Sequence, residues 1–207
     1  MERTIHAAIV ISTAVSIART AWVVFGFLRT LARPSGSIDI KWDWALFLVA
    51  PEVVLPAIAA LWLLYSHGAN PPYSFARMLC AFLGVGLALG GLALTAWSWL
   101  SLPSVGTGHY LLEGQSLVTK GAYGLVRHPI YAGAFLIWFG LAAAYTSGVV
   151  LLLTLVYVIP AYVLNIRGEE EMMLSRYGDE YRDYRRHVGA FIPRAGRRES
   201  SAGRPTS

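Results

Sequence analysis

The sequence predicts an all-α, polytopic integral membrane protein with five transmembrane helices. The last two form a helical hairpin, and a cytoplasmic amphipathic helix follows them. Three observations predict this class. Hydrophobic residues make up 56% of the 207-residue chain and charged residues only 14%, where a soluble domain carries about a quarter charged residues. The apolar residues fall in long blocks, most of them near the roughly 17 to 25 residues that cross a bilayer as a helix. The charged residues gather at the edges of those blocks.

The first block runs from about Ile5 to Leu28; it is long, lacks a small-residue cleavage pattern, and reads as an anchor and not a signal peptide. The second runs from about Trp44 to Tyr65 and the third from about Arg77 to Leu100. Small residues line the third: Gly84, Gly86, Ala88, Gly90 and Gly91. Of these, Gly86 and Gly90 have the GxxxG spacing that lets helices approach closely. The fourth block, from about Ile130 to Tyr145, is short. Thr146, Ser147 and Gly148 leave room only for a tight turn before the fifth, Gly148 to Ile166. Pro160 removes a backbone donor there and predicts a kink. After it, Leu174, Tyr177, Tyr181, Tyr184 and Val188 recur at three- and four-residue steps, with Arg182, Arg185 and Arg186 opposite: an amphipathic helix on the membrane surface or against the bundle.

The distribution of Lys and Arg sets the orientation. Arginines crowd the segment after Ile166, from Arg167 to Arg204, and Arg29, Arg33 and Lys41 follow the first block. Both regions are expected on the cytoplasmic side, with the N-terminus outside. The organisation is then one membrane-embedded domain over 1–193, with three N-terminal helices in 1–100 and the polar chemistry in 101–193. Residues 194–207, rich in Gly, Ser, Arg and Pro, are expected to be disordered. Within the spans, Arg19 and Glu52 lie at matching depths and are expected to pair, because a lone buried charge is expensive.

The net charge of +5 fits anionic lipid head groups and not nucleic acid, since the basic residues flank apolar blocks and do not interleave with aromatics for stacking. Cys80 is the only cysteine, so an internal disulfide is excluded, and no His/Cys cluster has metal spacing.

The chemistry concentrates at two abrupt transitions. Lys120 to Gly133, KGAYGLVRHPIYAG, is cationic and turn-forming directly before an apolar run. Arg127 and His128 at a bilayer edge are costly without a partner, which marks a functional site. Arg167, Glu169, Glu170 and Glu171 follow the fifth block just as abruptly, and the topology places both transitions on one face. Together they offer cations for anions, tyrosines for stacking and carboxylates for cations. That set suits a zwitterionic ligand bearing a nucleobase.

Gly121, Tyr123, Arg127, His128, Pro129, Tyr131 and Gly133 form GxYxxxRHPxYxG, which resembles the signature of the isoprenylcysteine carboxyl methyltransferase family; phospholipid methyltransferases share much of it. That family's second block is matched by Arg167, Glu170, Glu171, Leu174, Tyr177, Gly178, Tyr181 and Tyr184, and its closing FIP by Phe191, Ile192 and Pro193. The resemblance covers about Gln115 to Pro193. It implies an integral-membrane enzyme using S-adenosylmethionine, and a lipidated or otherwise apolar methyl acceptor. By position it assigns the cofactor to Gln115, Ser116, Leu117, Val118, Tyr123, His128, Pro129, Ile130, Tyr131 and one of Glu170 and Glu171. Arg167 would face the acceptor, with His128 beside it in the chemistry. Many family members have His where this chain has Gln115. The leading expectation is O-methylation of a carboxylate, which is already ionised at neutral pH and needs no general base. A phospholipid amine or a small thiol is the alternative acceptor. An NADPH-dependent sterol-type reductase and a non-catalytic membrane protein are the alternatives of other classes.

Overall fold

In the computed structural model, residues 1–31, 38–40, 54–66, 74–102, 110–112 and 116–194 are described. Helix α1 spans Glu2–Leu31, α2 Leu55–Ser66 and α3 Phe75–Leu100. A short α4, Ala122–Leu125, precedes α5, Pro129–Ala144. Then α6, Gly148–Leu153, passes through a π-helical turn at Thr154–Val158 into α7, Ile159–His187. Three of these helical stretches are long and apolar enough to cross a membrane: Glu2–Phe25, Phe75–Leu100 and Gly148–His187, of which the apolar part ends near Ile166; α2 and α5 are shorter apolar helices. Leu79, Phe82 and Leu83 on α3 and Val149 and Leu152 on α6 are exposed, an apolar surface suited to acyl chains.

The third and fourth blocks match their helices within a residue or two. Capping accounts for the sharp starts: Ser74 accepts from Arg77 N at 3.2 Å, and Ser147 accepts from Val150 N at 3.3 Å. Trp44 to Val53 of the second block lie outside the described residues, and so does Glu52. Arg19 is buried at 3% exposure, and the side of its expected pairing that rests on Glu52 falls outside the description. Residues 195–207 do too.

Three expectations are sharpened. Among the described residues the regular structure is helical apart from one ribbon: Ile38–Ile40 (β1) pairs antiparallel with Tyr110–Leu112 (β2), Ile38 opposite Leu112. Three-residue strands are too short to leave a periodic pattern. Second, Gly86 and Gly90 are not the close-approach pair, since a Cβ at either meets nothing within 4 Å. The contact uses Gly84 and Gly91 against Gly140 and Gly133 of α5. A Cβ on Gly84 would lie 2.6 Å from Gly140 O, and one on Gly133 2.7 Å from Gly91 O. These glycines are about two helical turns apart on each helix, and they bring the antiparallel backbones together. Third, Pro160 sits in the first turn of α7, directly after the π-helical turn. The helix is thus irregular directly before the missing Pro donor, the place where a kink was expected.

Helix α5 is the core of the bundle. Ala134, Ile137, Trp138 and Leu141 have no exposure. Close packing against α3 holds one side. At the far end the Tyr145 hydroxyl meets Thr13 Oγ1 at 2.6 Å and donates to Ala60 O at 3.3 Å, tying α5 to α1 and α2. The near end, at Pro129, carries the polar residues.

Candidate functional site

The site begins with a reversal of the chain. Val126 and His128 have extended or irregular backbone, and Pro129 occupies the first turn of α5, where a missing N–H costs nothing. The N–H groups of Arg127 and His128 donate to Gly189 O at 2.8 Å and Ala190 O at 3.1 Å. The segment after α7 therefore returns to the start of α5. Gly178 makes the return possible: its φ of 52° and ψ of −119° interrupt α7 in a conformation glycine adopts readily. Beyond it, Tyr181 and Tyr184 turn inward, while Arg182, Asp183 and Arg186 stay exposed, so the aromatic stripe packs as its spacing predicts. The Tyr184 hydroxyl donates to Tyr123 O at 2.6 Å.

Arg127 and Glu170 are the hub. Arg127 Nε and Nη2 donate to Glu170 Oε1 at 3.1 and 2.8 Å. Its Nη1 donates to Val188 O at 2.6 Å. His128 Nε2 lies 3.2 Å from the same Glu170 oxygen, and Arg185 Nη2 lies 3.3 Å from Oε2. Burial pushes the Glu170 carboxyl up, but the hydrogen bonds from His128 and Arg127 outweigh it and hold the group down at about 2. Glu170 is therefore an anion at every physiological pH.

Glu169 does something else. One residue earlier on α7, it points into the bundle and is 8% exposed. The Tyr131 hydroxyl donates to Glu169 Oε1 at 2.5 Å. Asn165 Nδ2 donates to the Tyr131 hydroxyl and to Glu169 Oε1 at 3.3 Å. His128 Nδ1 stands 3.7 Å from Glu169 Oε2. Tyr162, Phe135 and Phe191 wall this cluster: the Tyr131 and Tyr162 ring centres are 4.8 Å apart, and those of Phe135 and Phe191 5.3 Å. Burial, then the Glu169 charge, pushes the Tyr123 hydroxyl up. Burial does the same to Tyr181 and Tyr184, so all three stay neutral.

Of the expected site residues, the structure brings together His128, Pro129, Tyr131, Tyr123 and Glu170. Ile130 is half-buried at the start of α5, and Leu117 and Val118 are half-buried while Ser116 is exposed. Gln115 lies outside the described residues. Glu171 and Arg167 are exposed on α7. Sequence reasoning missed the roles of Asn165, Arg185 and the carbonyls of 188–190. Asn165 could have been found: it is a lone amide within an apolar run, and four residues before Glu169 puts it on the same helix face.

A cofactor with an ammonium, a carboxylate, a sulfonium and an adenine ring suits this donor set. Glu170 is a permanent anion for the cationic centres, Arg127 and His128 are donors for a carboxylate, and the rings of Tyr131, Phe135 and Phe191 offer faces for a cation or a base. These features define a charged, aromatic-walled site at the end of an apolar helical bundle. The model of the phospholipid methyltransferase family matches residues 79–180, a stretch that contains most of α3, all of α5 and both Glu169 and Glu170. A protein-S-isoprenylcysteine O-methyltransferase of Tribolium castaneum is 39% identical over 85 residues, which cover 37% of this chain and 27% of that one. Methanethiol S-methyltransferase 2 of Bradyrhizobium diazoefficiens is 36% identical over 85 residues, 40% of this chain and 31% of its own. The nickel-cobalt-cadmium resistance protein NccN of Alcaligenes xylosoxydans xylosoxydans is 32% identical over 117 residues, 55% of this chain and 51% of its own. The matched stretches span about a quarter to a half of these relatives. The chain is a relative of the isoprenylcysteine carboxyl methyltransferase family.

Proposed function

We propose that this protein transfers a methyl group from S-adenosylmethionine to a nucleophile on a lipidated or otherwise apolar acceptor, at the cytoplasmic edge of a five-span bundle whose N-terminus is outside. The observation that carries this is the Arg127–His128–Glu170 hub at the mouth of α5. It places permanent charges of both signs beside aromatic rings and an apolar bundle. When bound, the cofactor supplies an electrophilic methyl on a sulfonium. Glu170 holds the cationic part of the ligand, His128 and Arg127 orient its carboxylate, and Tyr123, Tyr131 and the segment 115–118 enclose the rest. Glu171 remains the second carboxylate in reach of the mouth. Alignment of acceptor and methyl supplies much of the rate, about 7 to 11 kcal/mol in favourable cases.

The first reading of the acceptor is a carboxylate, oriented by Arg167 from one turn before Glu170 on α7. A second reading, a nucleophile that still carries its proton, is favoured by the buried carboxylate of Glu169 and by the relatives named for a thiol acceptor. The test is calorimetric titration of S-adenosylmethionine combined with transfer of labelled methyl to a membrane extract. His128→Ala, and Glu170→Ala combined with Glu171→Ala, should each weaken cofactor affinity at least about tenfold, the loss of one charge-assisted contact. Unchanged affinity in both removes the assigned cofactor site. Arg167→Ala should impair use of the acceptor and leave cofactor affinity alone; the opposite result removes its role.

A further inference from the structure

We infer that Tyr131 and Glu169 form a proton relay that ionises a thiol acceptor, so that the nucleophile methylated here is a sulfur atom which arrives protonated. The inference rests on the methyl-transfer reading above and names its acceptor class.

The hydrogen-bond inventory makes the case. A tyrosine hydroxyl has one hydrogen to give and two lone pairs. Tyr131 gives its hydrogen to Glu169 Oε1, and Asn165 Nδ2 fills one lone pair. The remaining lone pair can accept a hydrogen from a bound molecule. Asn165 also donates to Glu169 Oε1, so the amide fixes both ends of the relay at once. Tyr131, His128 and Glu169 each keep 8% exposure, whereas Tyr162 beside them is sealed at 0%. The relay residues are buried, though less completely than Tyr162 beside them.

The step balances. The S–H hydrogen of the acceptor passes to the Tyr131 oxygen as the Tyr131 hydrogen passes to Glu169. The thiolate sulfur then forms a bond to the methyl carbon while that carbon's bond to the sulfonium sulfur breaks. The products are a methyl thioether, S-adenosylhomocysteine and one proton on Glu169. When His128 carries its hydrogen on Nε2, facing Glu170, its Nδ1 lone pair stands 3.7 Å from Glu169 Oε2. That nitrogen is a further acceptor on the way out.

The groups around Glu169 decide between a thiol and an ammonium. Tyr131 faces it from α5, Tyr162 and Tyr181 from α7, Tyr123 from α4, and His128 from the turn before α5. Beyond them, Arg127 and Arg185 share the single charge of Glu170. Once Glu169 has taken up the proton, the two arginines outnumber the Glu170 charge and stabilise a developing thiolate. A carboxylate acceptor leaves the relay without a proton to move.

The test uses the full chain in detergent micelles, labelled S-adenosylmethionine, and two probes: 1-octanethiol, and an electron-poor aryl thiol that is ionised at neutral pH. Wild type should methylate both. Glu169→Gln and Tyr131→Phe should each lower kcat/KM for octanethiol about 100-fold at neutral pH, the scale of a lost general base. Activity should recover about tenfold per pH unit as pH rises toward the ionisation of the alkanethiol, which lies above the roughly 8.5 of a cysteine side chain. The loss should shrink to within a few-fold for the aryl thiol, and calorimetric affinity for the cofactor should be unchanged in Glu169→Gln, the relay residue to which no cofactor contact is assigned. Equal losses on both thiols, or loss of cofactor binding in both variants, make the cluster structural and overturn the relay. Tyr131→Phe keeps the ring, so it decides the matter if Glu169→Gln does not fold. Methylation of carboxylates or amines but of neither thiol also overturns the relay while methyl transfer stands. If wild type does not bind the cofactor, methyl transfer itself falls.

Discussion

Replacing Gly84 by alanine and, separately, Gly86 by alanine should change stability in opposite directions. Both lie on α3, two residues apart in one glycine-rich run. At Gly84 the new Cβ would come 2.6 Å from Gly140 O and 2.7 Å from Ala144 Cα, all backbone atoms. Neither helix can rotate these away, so α3 and α5 must separate by several tenths of an ångström. Overpacking of this kind costs about 1 to 3 kcal/mol. Alanine recovers about 1 kcal/mol of helix propensity, which leaves a net loss of up to about 2 kcal/mol. At Gly86 nothing lies within 4 Å, so only the gain of up to about 1 kcal/mol survives. By the same reasoning Gly91→Ala should follow Gly84→Ala, and Gly90→Ala should follow Gly86→Ala. Thermal unfolding in detergent, followed by tryptophan fluorescence, gives the sign: midpoints should fall for 84 and 91 by a few degrees, at about 2 to 4 °C per kcal/mol, and hold or rise for 86 and 90. A fall at 86 and 90 as large as at 84 and 91 would refute the packing described and restore the GxxxG pair.

Three further outcomes are expected. Glu170 is depressed from 4.5 to about 2 in the fold, so its stabilisation is complete above about pH 4.5 and disappears as pH falls toward about 2; acid unfolding of wild type should steepen in that window, and Glu170→Gln should remove that component. Arg127→Ala removes the donors to Val188 O and Glu170, so amide exchange at Arg127, His128 and Val188 should quicken; unchanged protection would show that the arginine does not hold the returning segment. Gly178→Ala has room, with nothing within 4 Å, but its φ of 52° is strained for any other residue, and the cost should be about 1 to 3 kcal/mol by denaturant titration.

Much of the fold is legible because a bilayer demands long apolar helices, and Phe75–Leu100 and Pro129–Ala144 advertise their ends with Ser74 and Pro129. Which glycines touch is not legible. Four-residue spacing marks a face of one helix, whereas the face in use is chosen by the partner, here through Gly133 and Gly140. The Glu triplet shows the same limit. Successive helical residues point about 100° apart, so three adjacent carboxylates address three sectors. Only the positions of Tyr131 and Arg127 separate Glu169, facing inward, from Glu170 at the mouth. The motif around His128 and the closing Phe191 read as neighbours in function, but the backbone bonds from 127–128 to 189–190 leave no trace in side-chain pattern, since any residue supplies a carbonyl.

Those backbone bonds also impose an order on biosynthesis. Arg127 reaches Val188 across 61 positions of chain. At about 5 to 20 residues per second, its acceptor is made on the order of 3 to 12 s after the arginine itself. Within that interval α5, α6 and the apolar half of α7 are synthesised, while Arg127 and His128 have no carbonyls at 188–190 to bind. The charged mouth is therefore completed last, after its apolar helices have been made, and a nascent chain stalled before residue 188 would carry those helices with an open, uncommitted site.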